Sequence, residues 1–265
     1  MNQMSPHTPA SYLSGLFSLD GRVAVVTGGS SGIGRAIAEA LALAGASVVV
    51  VARRESELDA TVADLTALGG RAARVSADLT DRDAVCAAGD AAAEPFGEPD
   101  ILVNAAGINL RPPLGDLTPD VWDTTMAVNL DAPFLLSQRY GPGMAERGYG
   151  RLIHITSQQA YRAFVSSGAY GVSKAALAAL ARSQAEAWSP QGVTANTLVP
   201  GFVMTPLNQR IQSDPALAES LAARTLIGRN GLAEDFAGAA VFLASPASAY
   251  VTGQALFVDG GFSTH

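Results

Sequence analysis

Lysine is almost missing from this chain of 265 residues: Lys174 stands alone, and the sixteen other Lys/Arg positions are all arginine. Cysteine also occurs once, at Cys86. That excludes an internal disulfide and points to a reducing compartment, with the cytoplasm as the expected location. The three histidines, His7, His154 and His265, are widely spaced, and no metal-ligand spacing is present, so no metal is expected. Apolar runs stay far below the roughly 20 residues of a membrane span, which excludes a spanning helix. Positive charge is in deficit too: the net charge is −7 and the arginines are scattered, which argues against nucleic acid or an anionic membrane as partner. A small molecule remains. The interior has no Pro/Ser-rich linker, repeat or low-complexity stretch, so one domain is expected over 19–265. Residues 1–18, with Pro6 and Pro9 and no apolar core, read as a loose polar tail and not a signal peptide.

What is present is ample apolar material, 48% of residues against 15% charged, enough for a sizeable core. Short apolar runs alternate with longer helical patterns, the signature of βαβ units. Strands are expected at Val23–Val26, Val48–Val51, Ala73–Ser76, Ile101–Val103, Leu152–Ile155, Thr194–Leu198 and Leu256–Val258. Helices are expected near Gly32–Ala44, Glu55–Leu68, Asp81–Glu94, Pro119–Arg147, Ala169–Trp188 and Glu234–Ala244. The sum is an α/β fold, a Rossmann-like doubly wound sheet of about seven parallel strands, with its ligand outside the strands' carboxyl ends.

The first strand runs into Thr27-Gly28-Gly29-Ser30-Ser31-Gly32-Ile33-Gly34 and then a helix. Glycines there permit a tight turn and let backbone approach a pyrophosphate, whose charge meets the helix N-terminus. The spacing of Gly28, Gly32 and Gly34 is three then one, unlike the commoner one-then-two. A dinucleotide site follows, with Ser30, Ser31 and Ile33 in its wall. Where folds of this kind that bind NAD carry an acid at the end of the second strand, this chain has Ala52-Arg53-Arg54. Arg53 could pair a 2′-phosphate, so NADP(H) is favoured and NAD(H) is the other candidate. Asp78, beside Leu79 after the third strand, is placed either to accept from the adenine amine or to cap the helix beginning near Asp81.

Lys174 lies four residues after Tyr170. On a helix the two side chains project from one face, where a compact ammonium would acidify the phenol in a way the diffuse guanidinium of arginine cannot. With Gly28/Gly32/Gly34, Asn104-Ala105-Ala106-Gly107, Asn129, Ser157, Tyr170/Lys174 and Pro200-Gly201 in this order, the chain resembles the classical short-chain dehydrogenase/reductase family from about Leu19 to Phe262. The resemblance implies a hydride-transferring enzyme, usually a homotetramer, with a homodimer as the other assembly. It implies that Tyr170 exchanges a proton with the substrate oxygen, while Lys174 depresses the phenol's pKa and holds the nicotinamide ribose. Ser157 would hydrogen-bond the substrate oxygen, and Asn129 would hold a water that links Lys174 to solvent. Asn104, Ala106, Gly107, Pro200, Gly201, Val203 and Thr205 would meet the cofactor. Ala105 departs from the family's usual second asparagine.

Residues after Gly107, Ser157 and Gly201 would wall the substrate pocket: Asn109, Arg111, Gln158, Gln159, Tyr161, Arg162 and Phe202. A lid is expected near 202–225. Leu16-Phe17-Ser18-Leu19 and Gly107-Ile108-Asn109-Leu110-Arg111 are similar to gluconate 5-dehydrogenases, and Arg111 could pair a sugar-acid carboxylate. Phe164 stands where that group tends to have an arginine. The rival is a 3-oxoacyl-thioester reductase or general carbonyl reductase; those that dock an acyl carrier protein tend to have arginines where this chain has Leu135 and Gln191. A non-catalytic NADP-binding sensor is a third reading, although such relatives usually lack the tyrosine or the lysine.

Overall fold

The computed structural model describes residues 9–264 of the chain. Seven strands form one parallel sheet: β1 (Val23–Thr27), β2 (Ser47–Ala52), β3 (Arg71–Ser76), β4 (Ile101–Asn104), β5 (Gly150–Ile155), β6 (Val193–Pro200) and β7 (Ala255–Val258). Their order is β3-β2-β1-β4-β5-β6-β7, so the direction of winding reverses between β1 and β4 and opens a crevice at their carboxyl ends. Every residue of β1, β4, β5 and β6 is buried; β1 and β4 therefore read as nearly continuous apolar runs, while β5 and β6 also bury Arg151, His154, Thr194, Asn196 and Thr197.

Helices cover both faces. On one lie α2 (Gly32–Leu43), α3 (Glu55–Ala67) and α10 (Ala237–Ala244), with Ile37, Leu41, Leu58, Leu65 and Leu243 packed on Ala24, Val26, Val48 and Val103. On the other lie α4 (Arg82–Ala93), α6 (Ala132–Glu146) and α7 (Gly168–Trp188), whose Val85, Leu136, Tyr140, Met144 and Ala185 pack on Val25, Val49, Leu102 and Leu152. The strand residues alternate between the two clusters as the pleat requires.

Two expectations change. The tail over 1–18 is in part a helix, α1 (Pro9–Phe17), beginning on a proline that suits a first helical turn. It carries Leu13, Leu16 and Phe17 at helical spacing, with Leu16 half-buried; residues 1–8, and with them His7, lie outside the described residues, as does His265. The single helix expected over Pro119–Arg147 is α5 (Pro119–Met126) and α6, joined by a π turn over Ala127–Asp131. Pro133 explains the break: it has no N–H to return to the Asn129 carbonyl four residues earlier. The region expected as a lid contains a short turn at Pro206–Asn208 followed by α8 (Gln209–Gln212) and α9 (Pro215–Ala222). There Leu221 and Leu217 close on Phe164, Phe202 and Phe262, a small apolar cluster separate from the main core.

Candidate active site

The turn after β1 takes Gly28 and Gly32 through φ values of 67° and 53°, the left-handed region that favours glycine. A side chain at Gly28 would come within 2.7 Å of the Ala106 nitrogen, and one at Gly34 within 2.8 Å of the Gly28 carbonyl carbon. Two loops therefore run backbone against backbone here. Thr27 ties them, its hydroxyl accepting the N–H groups of Ala105 and Ala106, each at 3.2 Å. Ser31, at the N-cap of α2, makes no capping bond through its side chain, so the opening N–H groups of the helix, on Gly32, Ile33 and Gly34, meet the crevice uncapped. A helix start of this kind favours negative charge beside it.

The crevice has two connected halves that share Gly28, Ser31, Ala106, Gly107, Pro206 and Leu207. The outer half takes in Ser30, Arg53, Asp78 and Leu79, all expected from sequence, and adds Arg54 and Thr80. Arg54 pairs Glu57 at 2.5 Å. Asp78 is not a helix cap: its Oδ1 accepts from Thr80 N at 3.0 Å and Thr80 Oγ1 at 2.9 Å, and the cap of α4 is Asp81, whose side chain accepts from Asp83 N and Ala84 N. Those bonds from Thr80, with the nearby charge of Arg53, hold the Asp78 carboxyl below its ordinary range.

The inner half brings together Ser157, Gln158, Gln159, Tyr170, Lys174, Asn109, Pro200, Gly201, Phe202, Val203 and Thr205. β5 ends at Ile155 and delivers Ser157, while the first two turns of α7 deliver Tyr170 and Lys174. All three are buried. Lys174 Nζ donates to the Ile155 carbonyl at 2.8 Å and lies 5.8 Å from the centre of the Tyr170 ring. Burial pushes the ammonium down from 10.5 to about 8.

The phenol does not follow the expectation drawn from sequence. Burial pushes its pKa up, and this outweighs the hydrogen bond from Ser157 and the charge of Arg111, which pull it down. Lys174, whose Nζ is 5.8 Å from the ring centre, is not among the groups that move the phenol.

Asn129 lies beneath the site. Its Oδ1 accepts from Ile108 N at 2.9 Å, and its Nδ2 donates to Ile108 O and Ser173 Oγ, each at 3.0 Å. The side chain thus fixes the loop after β4 to α7. Asn104 is also underneath the crevice: its Nδ2 meets His154 Nδ1 at 3.1 Å, and His154 Nε2 meets Gln184 Oε1 at 2.7 Å. With Nδ1 accepting, His154 carries its proton on Nε2, and burial holds its pKa down at about 4.

Three expected substrate residues do not line the crevice. Arg111 donates from Nε to Ser166 O at 3.2 Å and from its terminal nitrogen to Val165 O. Arg162 donates to Ser263 O near the carboxyl end of the described chain. Tyr161 is half-exposed and packs against Phe257 with the rings tilted by 51°, ring centres 5.1 Å apart. Backbone carbonyls have no signature in the sequence, so this diversion of both arginines could not be read there. Thr27, Ser173, Phe262 and Asn208 were missed as supports or walls; Asn208, whose Nδ2 donates to Val203 O at 2.9 Å, fell inside the stretch assigned to the lid.

A family model described as enoyl-(acyl carrier protein) reductase matches residues 28–263. The chain is 39% identical over 248 residues to gluconate 5-dehydrogenase of Gluconobacter oxydans (strain 621H), covering 94% of this chain and 97% of that protein. Among solved structures, a gluconate 5-dehydrogenase from Burkholderia cenocepacia J2315 in complex with NADP and tartrate superposes with a TM-score of 0.90 at 39% identity, over 96% of this chain and 99% of that one. A 3-oxoacyl (acyl-carrier-protein) reductase from Agrobacterium tumefaciens C58 with NADP bound gives 0.91 at 36% identity, over 97% and 100%.

Proposed function

The chain belongs to the short-chain dehydrogenase/reductase family, and on that premise we propose that it interconverts a ketone and a secondary alcohol with NADP(H), Tyr170 acting as the acid and base. The observation that carries this is the convergence of Ser157, Tyr170 and Lys174 in the inner crevice, next to an uncapped helix N-terminus built for a pyrophosphate. Gly28, Ser31, Gly32, Ile33, Gly34, Ala106 and Gly107 would cradle the diphosphate; Arg53 would meet a 2′-phosphate, Asp78 and Leu79 the adenine, and Pro200, Gly201, Val203 and Thr205 the nicotinamide. NADP(H), when bound, supplies or accepts the hydride. Relatives of known structure carrying NADP support this choice of cofactor.

The chain's own residues account for the proton. In reduction the Tyr170 hydroxyl donates to the substrate oxygen as negative charge grows on it, while Ser157 hydrogen-bonds the same oxygen. A phenol whose burial opposes ionisation stays protonated at neutral pH, ready as the acid. Lys174, poised at about 8, passes between its two forms near neutrality and restores the proton. Asn129 would connect it to solvent through a water.

For the substrate, the reading favours a polyhydroxylated carbonyl, a sugar acid or polyol. Asn109 Oδ1 and Gln158 Oε1 are buried without a protein donor, which hydroxyl groups would supply. Because Arg111 is engaged by backbone carbonyls, recognition through hydroxyls ranks ahead of recognition through a carboxylate. The second reading, 3-oxoacyl-thioester reduction, draws on the aromatic wall of Phe164, Phe202 and Phe262, with Phe202 and Phe262 ring centres 5.3 Å apart. The closure of α9 on that wall supports a lid role for 202–225.

The working unit in this reading is a homotetramer. Edge strand β7 leaves Leu256 and Phe257 exposed for a second copy to cover. Among the described residues no helix is long and apolar enough to cross a membrane, in keeping with a cytoplasmic enzyme. The test is a turnover screen of sugar acids, ketoses and 3-oxo esters with NADPH and NADH. Ketose or keto-acid reduction with NADPH is expected; tight NADPH binding without turnover of any carbonyl would favour the sensor instead.

A further inference from the structure

We propose a second ligand site at the opposite end of the sheet, where Arg151 and Thr194 hold a small oxyanion, a phosphate or carboxylate group. Arg151 is the second residue of β5, and the register of the sheet places Thr194 of β6 directly beside it. Both line a cleft of about 750 Å³ below the amino-terminal ends of these strands, remote from the crevice at their carboxyl ends.

The argument rests on charge and unmet hydrogen-bonding capacity. Arg151 is only 4% exposed, and no carboxylate lies within ion-pair distance of it among the described residues. One terminal nitrogen donates to the carbonyls of Gly150 at 2.8 Å and Gly192 at 3.4 Å, but Nε is buried with no acceptor. Thr194 Oγ1, 6% exposed as a residue, is likewise buried without a partner. A guanidinium stays charged in proteins, and a buried unpaired charge is strongly disfavoured.

The surroundings add a second cation. Arg22 lies 3.6 Å from the centre of the Tyr149 ring, and Arg151 lies 4.3 Å from the same ring. Tyr149 is itself fixed by its hydroxyl donating to Ala244 O at 2.9 Å. Asp100, a nearby carboxylate, meets Arg22 at 3.5 Å and also receives Val23 N–H at 3.2 Å, so it is already committed. An aromatic face offsets a fraction of one charge and supplies no acceptor in the plane of the guanidinium. An oxyanion admitted from the cleft by a shift of these two side chains, whose Nε and Oγ1 are closed off from solvent, would do both: it would accept from Nε and from the Thr194 hydroxyl while balancing Arg151.

The experiment uses the full chain saturated with NADP⁺, so that phosphate cannot act through the dinucleotide crevice. Thermal unfolding is followed against inorganic phosphate, with sodium chloride at matched ionic strength as the reference. Succinate in a parallel series separates carboxylate from phosphate recognition. A saturable rise in Tm of about 3 °C at tenfold above the dissociation constant is expected for at least one of the two anions. Arg151→Met should abolish it, and the milder Thr194→Val, which keeps the shape and removes only the donor, should weaken binding three- to tenfold. Equal Tm shifts in wild type and in both variants would overturn the proposal. So would no response to either anion, and so would a loss of subunit association in Arg151→Met without any anion effect, which would assign the cleft to a carboxylate of another copy.

Discussion

Because Lys174 is the one lysine of the chain, protein grown on lysine labelled at its Cε carbon gives a single side-chain resonance, and the titration of this ammonium can be read without assignment. The structure sets its midpoint at about 8, against 10.5 for a solvated lysine. That difference corresponds to about 3 kcal/mol of opposition to the charged form. Burial lowers the pKa of a base, so the charged amine opposes folding. The opposition is present in full at and below pH 8, and is relieved as pH climbs from 8 to 10.5, the range in which the unfolded chain still holds its proton. Wild type should therefore gain stability relative to Lys174→Met across that window by up to about 3 kcal/mol, the hydrogen bond to Ile155 O being common to the charged and neutral amine. The assay is a carbon-13 titration of the labelled protein, paired with urea unfolding of both proteins at pH 7.5 and 10. A midpoint near 10.5, or a stability gap that does not change with pH, would refute the burial argument.

Arg53→Ala should lower the preference for NADPH over NADH by about 10- to 100-fold in kcat/KM, the size of one charge-assisted contact of 1.5–3 kcal/mol, since Arg53 lies in the outer half of the crevice; an unchanged ratio would exclude it from the 2′-phosphate. Gly34→Ala places a methyl 2.8 Å from the Gly28 carbonyl carbon, and fluorescence titration should show NADPH affinity falling at least tenfold. His154 should remain neutral, with its proton on Nε2, down to a pH of about 4. The unfolded chain takes up that proton near 6.5, so stability is lost on acidification between about 6.5 and 4, by about 3 kcal/mol from this group. Nitrogen-15 spectra of histidine-labelled protein, with the His154 signals identified by their loss in His154→Gln, check the tautomer, and a doubly protonated His154 ring at pH 6 would contradict it.

The sheet was legible because β1, β2 and β4 are buried on both faces and announce themselves as β-branched apolar runs, and the edge strands β3 and β7, though partly exposed, sit between clear turns; the strands differ from expectation mainly by residues at their ends that pair with neighbours. The glycine turn and the Tyr170/Lys174 spacing were legible because their geometry is local. What stayed hidden depends on distant partners. The bonds of Arg111 to the carbonyls of Val165 and Ser166, and of Arg162 to that of Ser263, have no counterpart in the sequence pattern. Asp78 and Asp81 are both plausible helix caps, and only their bonds separate them. The direction of the Tyr170 shift depends on the competition between burial and nearby charge, and a four-residue spacing says nothing about burial. Pro133, in contrast, is a local signal for the π turn at Asn129 that the expectation of one helix over Pro119–Arg147 passed over.

The most direct measurement is NADPH oxidation by Tyr170→Phe on the best carbonyl from the screen, alongside NADPH binding by fluorescence. Loss of a proton donor at the reacting oxygen predicts turnover down by about 10² to 10⁴ with cofactor affinity nearly unchanged. Turnover comparable to wild type would show that the phenol is not the acid.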